Sequence, residues 1–172
     1  SFETGSNNYY RGQALWDSGA GENAWNGGFA YDRDGGFQDD TGYNQAKLFV
    51  KNRSELANGV LSFSGSGSWL NQDSAGFITG FEAYKDDDRD RNENPGTFRD
   101  AYSVRFSAGW APTPGAVWTR EHRFYVRNSE MDFLQFFLPG DPREKNGQTS
   151  LGTQVIGSRN IADDGRLTLG VD

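Results

Sequence analysis

The sequence predicts an all-β chain: an antiparallel up-and-down meander forming part of a transmembrane β-barrel of about nine strands. Three observations lead there. Period-two alternation of apolar and polar residues recurs along the chain, and no convincing amphipathic helix interrupts it. Short turns alternate with longer polar connections, which in a meander collects the short turns at one end and the long loops at the other. Four of the five tryptophans stand at the short-turn ends of strands, where an interfacial girdle would lie.

The alternating segments are a short one near residues 1–4, then 9–17, 24–34, 43–53, 60–73, 101–110, 117–127, 149–158 and 166–171. The clearest is 101–110, where Tyr102, Val104, Phe106, Ala108 and Trp110 share one face and Ser103, Arg105, Ser107 and Gly109 the other. In 43–53, Ala46, Leu48 and Val50 oppose Gln45, Lys47, Lys51 and Arg53, and Phe49 is out of place. In 60–73, Leu61, Phe63 and Trp69 with two glycines oppose Ser62, Ser64, Ser66 and Ser68. Segment 117–127 fits least well, because Arg120 and His122 share a parity with Trp118, Phe124 and Val126. A bulge or a position near a membrane rim would accommodate them.

Short connections are read at 18–23, 54–59, 111–116 and 160–165, and long polar ones at 74–100 and 131–148. Trp16 and Trp25 flank one short turn, Trp110 and Trp118 another, and with Trp69 they form the expected membrane-interface aromatics. Tyr43 and Tyr102, at long-loop ends, are candidates for the opposite girdle. The apolar faces then meet lipid. Lys47, Lys51, Ser62, Ser64, Ser66, Ser68, Ser103 and Arg105 line a wet lumen.

Composition narrows the function. The 172 residues include no Cys, so disulfides, Cys-containing zinc sites and thiol nucleophiles are absent. A net charge of -7 argues against nucleic acid as a partner, since phosphate binding needs clustered Lys and Arg. There is no apolar run of about 18 residues, and this does not bear on a β-barrel. His122 is the single histidine and no nucleophile-elbow motif accompanies it, so neither catalytic residues nor a cofactor are expected. In the acidic run 86–96, Asp86, Asp88 and Asp90 have the alternating spacing of a calcium loop, but Arg91 occupies the position that requires Gly, so the run reads as a solvated loop and no metal site is expected. Tyr84, Arg89, Arg91, Arg99 and Phe136 are the candidate ligand contacts in the long loops.

A competing reading is a soluble glycan-binding or glycan-hydrolysing β-sandwich, suited by the Gly, Tyr, Trp, Ser and Asn bias. A retaining hydrolase needs two carboxyl groups about 5 Å apart, and Glu82, Glu121 and Glu130 are its obvious candidates.

Several segments also carry a family resemblance. They are Asp39-Asp40-Thr41-Gly42-Tyr43-Asn44-Gln45-Ala46-Lys47-Leu48, Asp73-Ser74-Ala75-Gly76-Phe77, Tyr84-Lys85-Asp86, Phe98-Arg99-Asp100-Ala101, Met131 through Pro142, and Asn146-Gly147-Gln148. In order and spacing these resemble the TonB-dependent receptors of Gram-negative outer membranes, in particular those similar to siderophore receptors, over about 36–150. The resemblance implies uptake of an iron-siderophore or similar solute through a 22-stranded barrel holding an N-terminal plug, energised by a TonB-type protein. Against that pattern the chain has no plug, no box for the energising partner and no terminal aromatic. It is expected to be the early part of the barrel, with residues 1–172 as one partial barrel domain. The implied partners are outer-membrane lipid, the rest of the barrel and plug, and an assembly partner or neighbouring chain at the open strand edges.

Overall fold

A computed structural model describes residues 1–19, 21–85, 87–113, 118–134, 136, 138–161 and 165–172. Nine strands follow one another: β1 Phe2–Thr4, β2 Tyr10–Asp17, β3 Asn23–Asp34, β4 Gly42–Leu56, β5 Gly59–Asp73, β6 Phe98–Pro112, β7 Thr119–Leu134, β8 Arg143–Asn160 and β9 Arg166–Val171. They form one antiparallel sheet in sequence order. The sheet is open, with β1 and β9 at its edges. Among the described residues the single helical element is a 3-10 turn at Ala83–Lys85. A sandwich would need two packed layers, and these strands make one.

Residues directly opposite on neighbouring strands point to the same side, so the register defines both faces. One face carries successive rows across the sheet. Trp16, Gly27, Val50, Gly65, Phe106, Val126 and Leu151 form the middle row. Phe29, Leu48, Gly67 and Val104 lie in the row on its long-loop side, and Trp25, Phe63, Ala108 and Phe124 in the row on the other. The flanking rows are Tyr31–Ala46–Trp69–Tyr102 and Leu61–Trp110–His122–Val155. Beyond Tyr31 and Trp69 the face turns polar, through Asn44, Asn71, Asp100, Asp132 and Lys145.

None of the described residues covers this apolar face. Among the described residues there is no buried hydrophobic side chain, and Leu151 is 73% exposed, Phe124 46%, Trp69 46% and Phe106 43%. Each large apolar side chain left in water forgoes roughly 1.5–3 kcal/mol of burial. Polar residues within the face are satisfied internally. Asn52, 5% exposed, donates through Nδ2 to Asn23 Oδ1 at 2.7 Å and to the Ala24 carbonyl at 3.1 Å, and Asn128 Nδ2 donates to Thr149 Oγ1 at 2.7 Å.

Glycines make room for aromatic rings on both faces. A Cβ on Gly27 would stand 2.0 Å from Trp16 Cζ2, and one on Gly67 2.5 Å from Trp69 Cη2. On the polar face Gly28 admits Leu15 and the out-of-phase Phe49, and Gly152 lies under Tyr125. The misfit of Phe49 is thereby explained: it joins a small apolar patch with Leu15 over a glycine.

Three expectations need correction. The expected strand limits near 101, 127 and 149 are too short, because β6 starts at Phe98, β7 runs to Leu134 and β8 begins at Arg143. The long connections therefore shrink to 74–97 and 135–142. No bulge accommodates His122 and Arg120, since pairing from Trp110–His122 to Arg99–Phe133 is uninterrupted. Both sit on the apolar face at its short-turn end. Tyr43 lies on the polar face opposite Gln72, and Tyr102 shares the apolar face with Trp69.

Gly27→Ala should lose about 1–3 kcal/mol of stability in urea unfolding, because the Trp16 ring must be displaced in an already packed row. Gly12→Ala, where a Cβ meets nothing within 4 Å, should stay within about 0.5 kcal/mol of the parent.

Candidate functional site

Two regions gather the functional candidates: the polar face of the sheet and the end that bears the longer connections. On the polar face, Lys47 stands opposite Ser68 and Ser68 opposite Ser103, while Lys51 pairs with Ser64, Arg53 with Ser62, and Ser66 with Arg105. All eight residues expected to line a lumen thus share one side of the sheet. The serines interlock across strands. The Ser64 and Ser107 hydroxyls are 2.7 Å apart, and Ser62 Oγ donates to the Gly109 carbonyl at 3.4 Å.

This side holds open hollows. One of about 540 Å³ is lined by Phe49, Lys51, Ser66, Arg105, Tyr125 and Arg127, and another of about 520 Å³ by Arg11, Gln13, Lys47, Ser68, Ser103 and Arg105. A third, also about 520 Å³, opens near the short turns between Glu55, Glu121, Ile156 and Arg166. Arg53 with Glu55 and Arg123 with Glu121 form ion pairs at that end. Arg127, Ser107 and Ser150 belong to the same wall; Ser107 was placed on the polar side by the alternation of 101–110, whereas Arg127 was not singled out because 117–127 carried charge on both parities and gave no clean face.

The aromatic residues are distributed over the apolar face. Trp16, Trp25 and Trp110 stand near the short turns, and Trp69 lies toward the longer connections. Trp118 precedes β7 and its ring passes 3.5 Å from where a Gly157 Cβ would sit. Tyr31, missed in the sequence, extends the Trp69–Tyr102 row to β3, and Tyr10, also missed, lies on the same face one row further out, opposite Arg33. Their rings are 6.0 Å apart, and the Tyr31 hydroxyl donates to Asn44 Oδ1 at 2.9 Å.

At the far end the connections are tied in series. The Gly35 amide donates to the Asn7 carbonyl at 2.7 Å, and the Asp39 amide to the Asp90 carbonyl at 2.7 Å. Gln38 Nε2 donates to the Arg91 carbonyl at 3.3 Å, and Phe77 meets Phe136 edge-on with centroids 6.4 Å apart. Hence Arg91 and Phe136 are joints between loops. Arg91 also pairs with Glu93 at 2.8 Å. Tyr84 is 71% exposed on the 3-10 turn, with Lys85 Nζ 5.4 Å from its ring centroid, and Arg89 lies in the same connection between Asp88 and Asp90. Arg99 is not in a loop. It sits in β6 on the polar face, opposite Gln72 and Phe133. Asp86 of the acidic run falls outside the described residues.

Just below the loops, the strand extensions carry charge on the side of the sheet that is apolar nearer the short turns. Arg143 pairs with Asp132 through two hydrogen bonds, and Lys145 with Glu130 at 2.8 Å. Exposed pairs of this kind contribute about 0–1 kcal/mol each, so they mark a hydrated zone more than they hold the sheet together.

No family model, curated protein or solved structure matches this chain.

Phe136→Ala should release the 135–142 connection from 74–97. Limited proteolysis should then cleave 74–97 several-fold faster, with the β-sheet circular dichroism unchanged, since one aromatic pair contributes about 0.5–1.5 kcal/mol beyond its area.

Proposed function

We propose that this chain forms part of the wall of an outer-membrane β-barrel, with its apolar face against lipid and its serine- and cation-lined face toward a wet interior. The observation that carries this reading is the apolar face itself: six rows deep from Leu56–Gly59–Pro112 to Ala46–Trp69–Tyr102, uncovered among the described residues, and flanked by aromatics on both sides. From the Gly59 row to the Trp69 row the face runs ten residues, ~34 Å along the strand at ~3.4 Å per residue. A strand tilt of about 40° brings that to ~26 Å, near the ~25 Å apolar band of transmembrane barrels. The polar row through Asn44, Asn71, Asp100 and Asp132 then falls at the headgroups. Strands of 15 to 18 residues, longer than the ~10 that suffice to span, carry the sheet beyond the bilayer on the loop side.

Such a wall needs further strands. β9 pairs with β8 only at residues 155–160, which leaves 143–154 without a partner on that side, and β1 covers only residues 10–12 of β2. In lipid each unpaired backbone group costs several kcal/mol, so these edges call for the rest of the barrel, an assembly partner or another chain.

The segments similar to TonB-dependent receptors extend the proposal. On that reading the wall belongs to a receptor in the Gram-negative outer membrane for an iron-siderophore or similar solute, enclosing a plug and driven by a TonB-type protein. The linked loops would contribute to solute capture. The resemblance supports this part, together with the placement of Asp39-Asp40-Thr41 and Tyr84-Lys85 in the joined loops.

Phase separation in a non-ionic detergent should carry the chain into the detergent-rich phase; recovery as a soluble monodisperse protein without detergent would sink the proposal. Phe106→Arg, in the middle row, should weaken bilayer insertion by about 2–4 kcal/mol, whereas Ser66→Arg on the opposite face should leave it nearly unchanged.

A further inference from the structure

We infer that the centre of the polar face is an anion-binding site for a small solute carrying two or more phosphate or carboxylate groups, held by Arg105, Arg127 and Lys51 with the hydroxyls of Ser66, Ser107 and Ser150. The inference needs only the composition of this face and holds whether or not lipid covers the other.

The protein is acidic overall, with net charge -7, yet this region is the reverse. Five consecutive rows of the polar face, from Arg53–Ser62 to Gln45–Leu70, cross strands β4 to β8. They contain Arg53, Lys47, Lys51, Arg105, Arg123 and Arg127 and no Asp or Glu. The carboxylates nearest along the strands at the short-turn end, Glu55 and Glu121, are engaged by Arg53 and Arg123. Asp17 shares a row with Lys51 but lies two strands away on β2, accepting from the Gly19 amide at 2.6 Å. Among the described residues, Lys47, Lys51 and Arg105 have no ion-pair partner.

Arg105 and Arg127 are directly opposite on β6 and β7, a like-charge placement that destabilises an antiparallel pair unless an anion lies between or above them. Arg127 is half-buried. It spends Nη2 on Gln148 Oε1 at 3.0 Å, and its Nε is shielded from solvent without a hydrogen-bond partner. Two guanidinium forks side by side present the planar donor pattern that suits oxyanions, and Lys51 adds a point charge two strands over. These groups surround the hollow of about 540 Å³, within the usual range of small-solute sites, with Phe49 and Tyr125 as apolar walls. Serine hydroxyls complete the donor set. Arg105 also lines the adjoining hollow with Lys47, so a solute with a second anionic group can engage both.

The test is calorimetric titration of the chain in non-ionic detergent with sodium pyrophosphate, and separately with citrate, at low salt. Saturable binding of either probe, weakened as NaCl rises, is expected; the probe bound more tightly identifies phosphate or carboxylate as the preferred source. Arg105→Gln with Arg127→Gln should weaken binding at least about tenfold, because charge-assisted bonds are lost, and Lys145→Gln on the opposite face should leave it unchanged. Ser66→Asp serves if the double variant does not fold: placing a carboxylate among the cations should abolish anion binding and raise the melting temperature. No binding of either probe to the folded chain, equal binding by the variants, or equal loss in Lys145→Gln would overturn the inference.

Discussion

A sheet with one apolar face must cover that face, and among the described residues of this chain nothing does. Strands β1 to β9 pair with one another in a single layer, so among the described residues the rows through Phe106, Val104 and Phe63 have no second sheet or helix to meet. Every other feature follows from this missing layer. Long rings lie over glycines, polar residues such as Asn52 and Asn128 are tied to neighbours, and charge on this face stays at its two ends, Arg120 near the short turns and Glu130, Asp132 and Lys145 at and beyond the tyrosine row. A hydrocarbon solvent outside and water inside satisfies both faces at once.

Much of this was legible in the sequence where one face is apolar and the other polar. Strands β4, β5 and the inner part of β6 alternate cleanly, and the parity read from Leu48, Phe63 or Val104 is the parity of the register. The signal fails toward the long connections. Phe98–Asp100 and Arg143–Gln148 carry polar or charged residues on both sides, and in Met131–Leu134 the pattern inverts, with Met131 and Phe133 on the polar face and Asp132 on the other, so the alternation is lost although the ladder continues, and the strands look shorter than they are. Tyr43 was misplaced for a related reason: its position at a strand end suggested a girdle, and its parity with Gln45 and Lys47 puts it on the wet side.

The candidate sites were legible to different depths. The serine ladder of β5 and its neighbours Lys47, Lys51 and Arg105 could be assigned to one side from period alone. What period could not supply is register, which sets Arg127 against Arg105 and makes an isolated cation one of a pair. The loop candidates show the opposite limit. Composition marked Arg91 and Phe136 as ligand contacts, and the fold uses them to bind loop to loop through the Arg91 carbonyl and the Phe77 ring. No periodicity exists in loops from which to foresee this.

The central claim, that odd and even residues of β5 meet different solvents, can be measured directly because the chain has no native cysteine. Single cysteines introduced at each position from Leu61 to Leu70 and spin-labelled in lipid bilayers should show collision with oxygen peaking at Leu61, Phe63, Gly65, Gly67 and Trp69. Collision with a water-soluble nickel chelate should peak at Ser62, Ser64, Ser66 and Ser68, giving two period-two profiles in opposite phase. Profiles in phase with each other, or uniform access of the nickel chelate along the strand, would contradict the account.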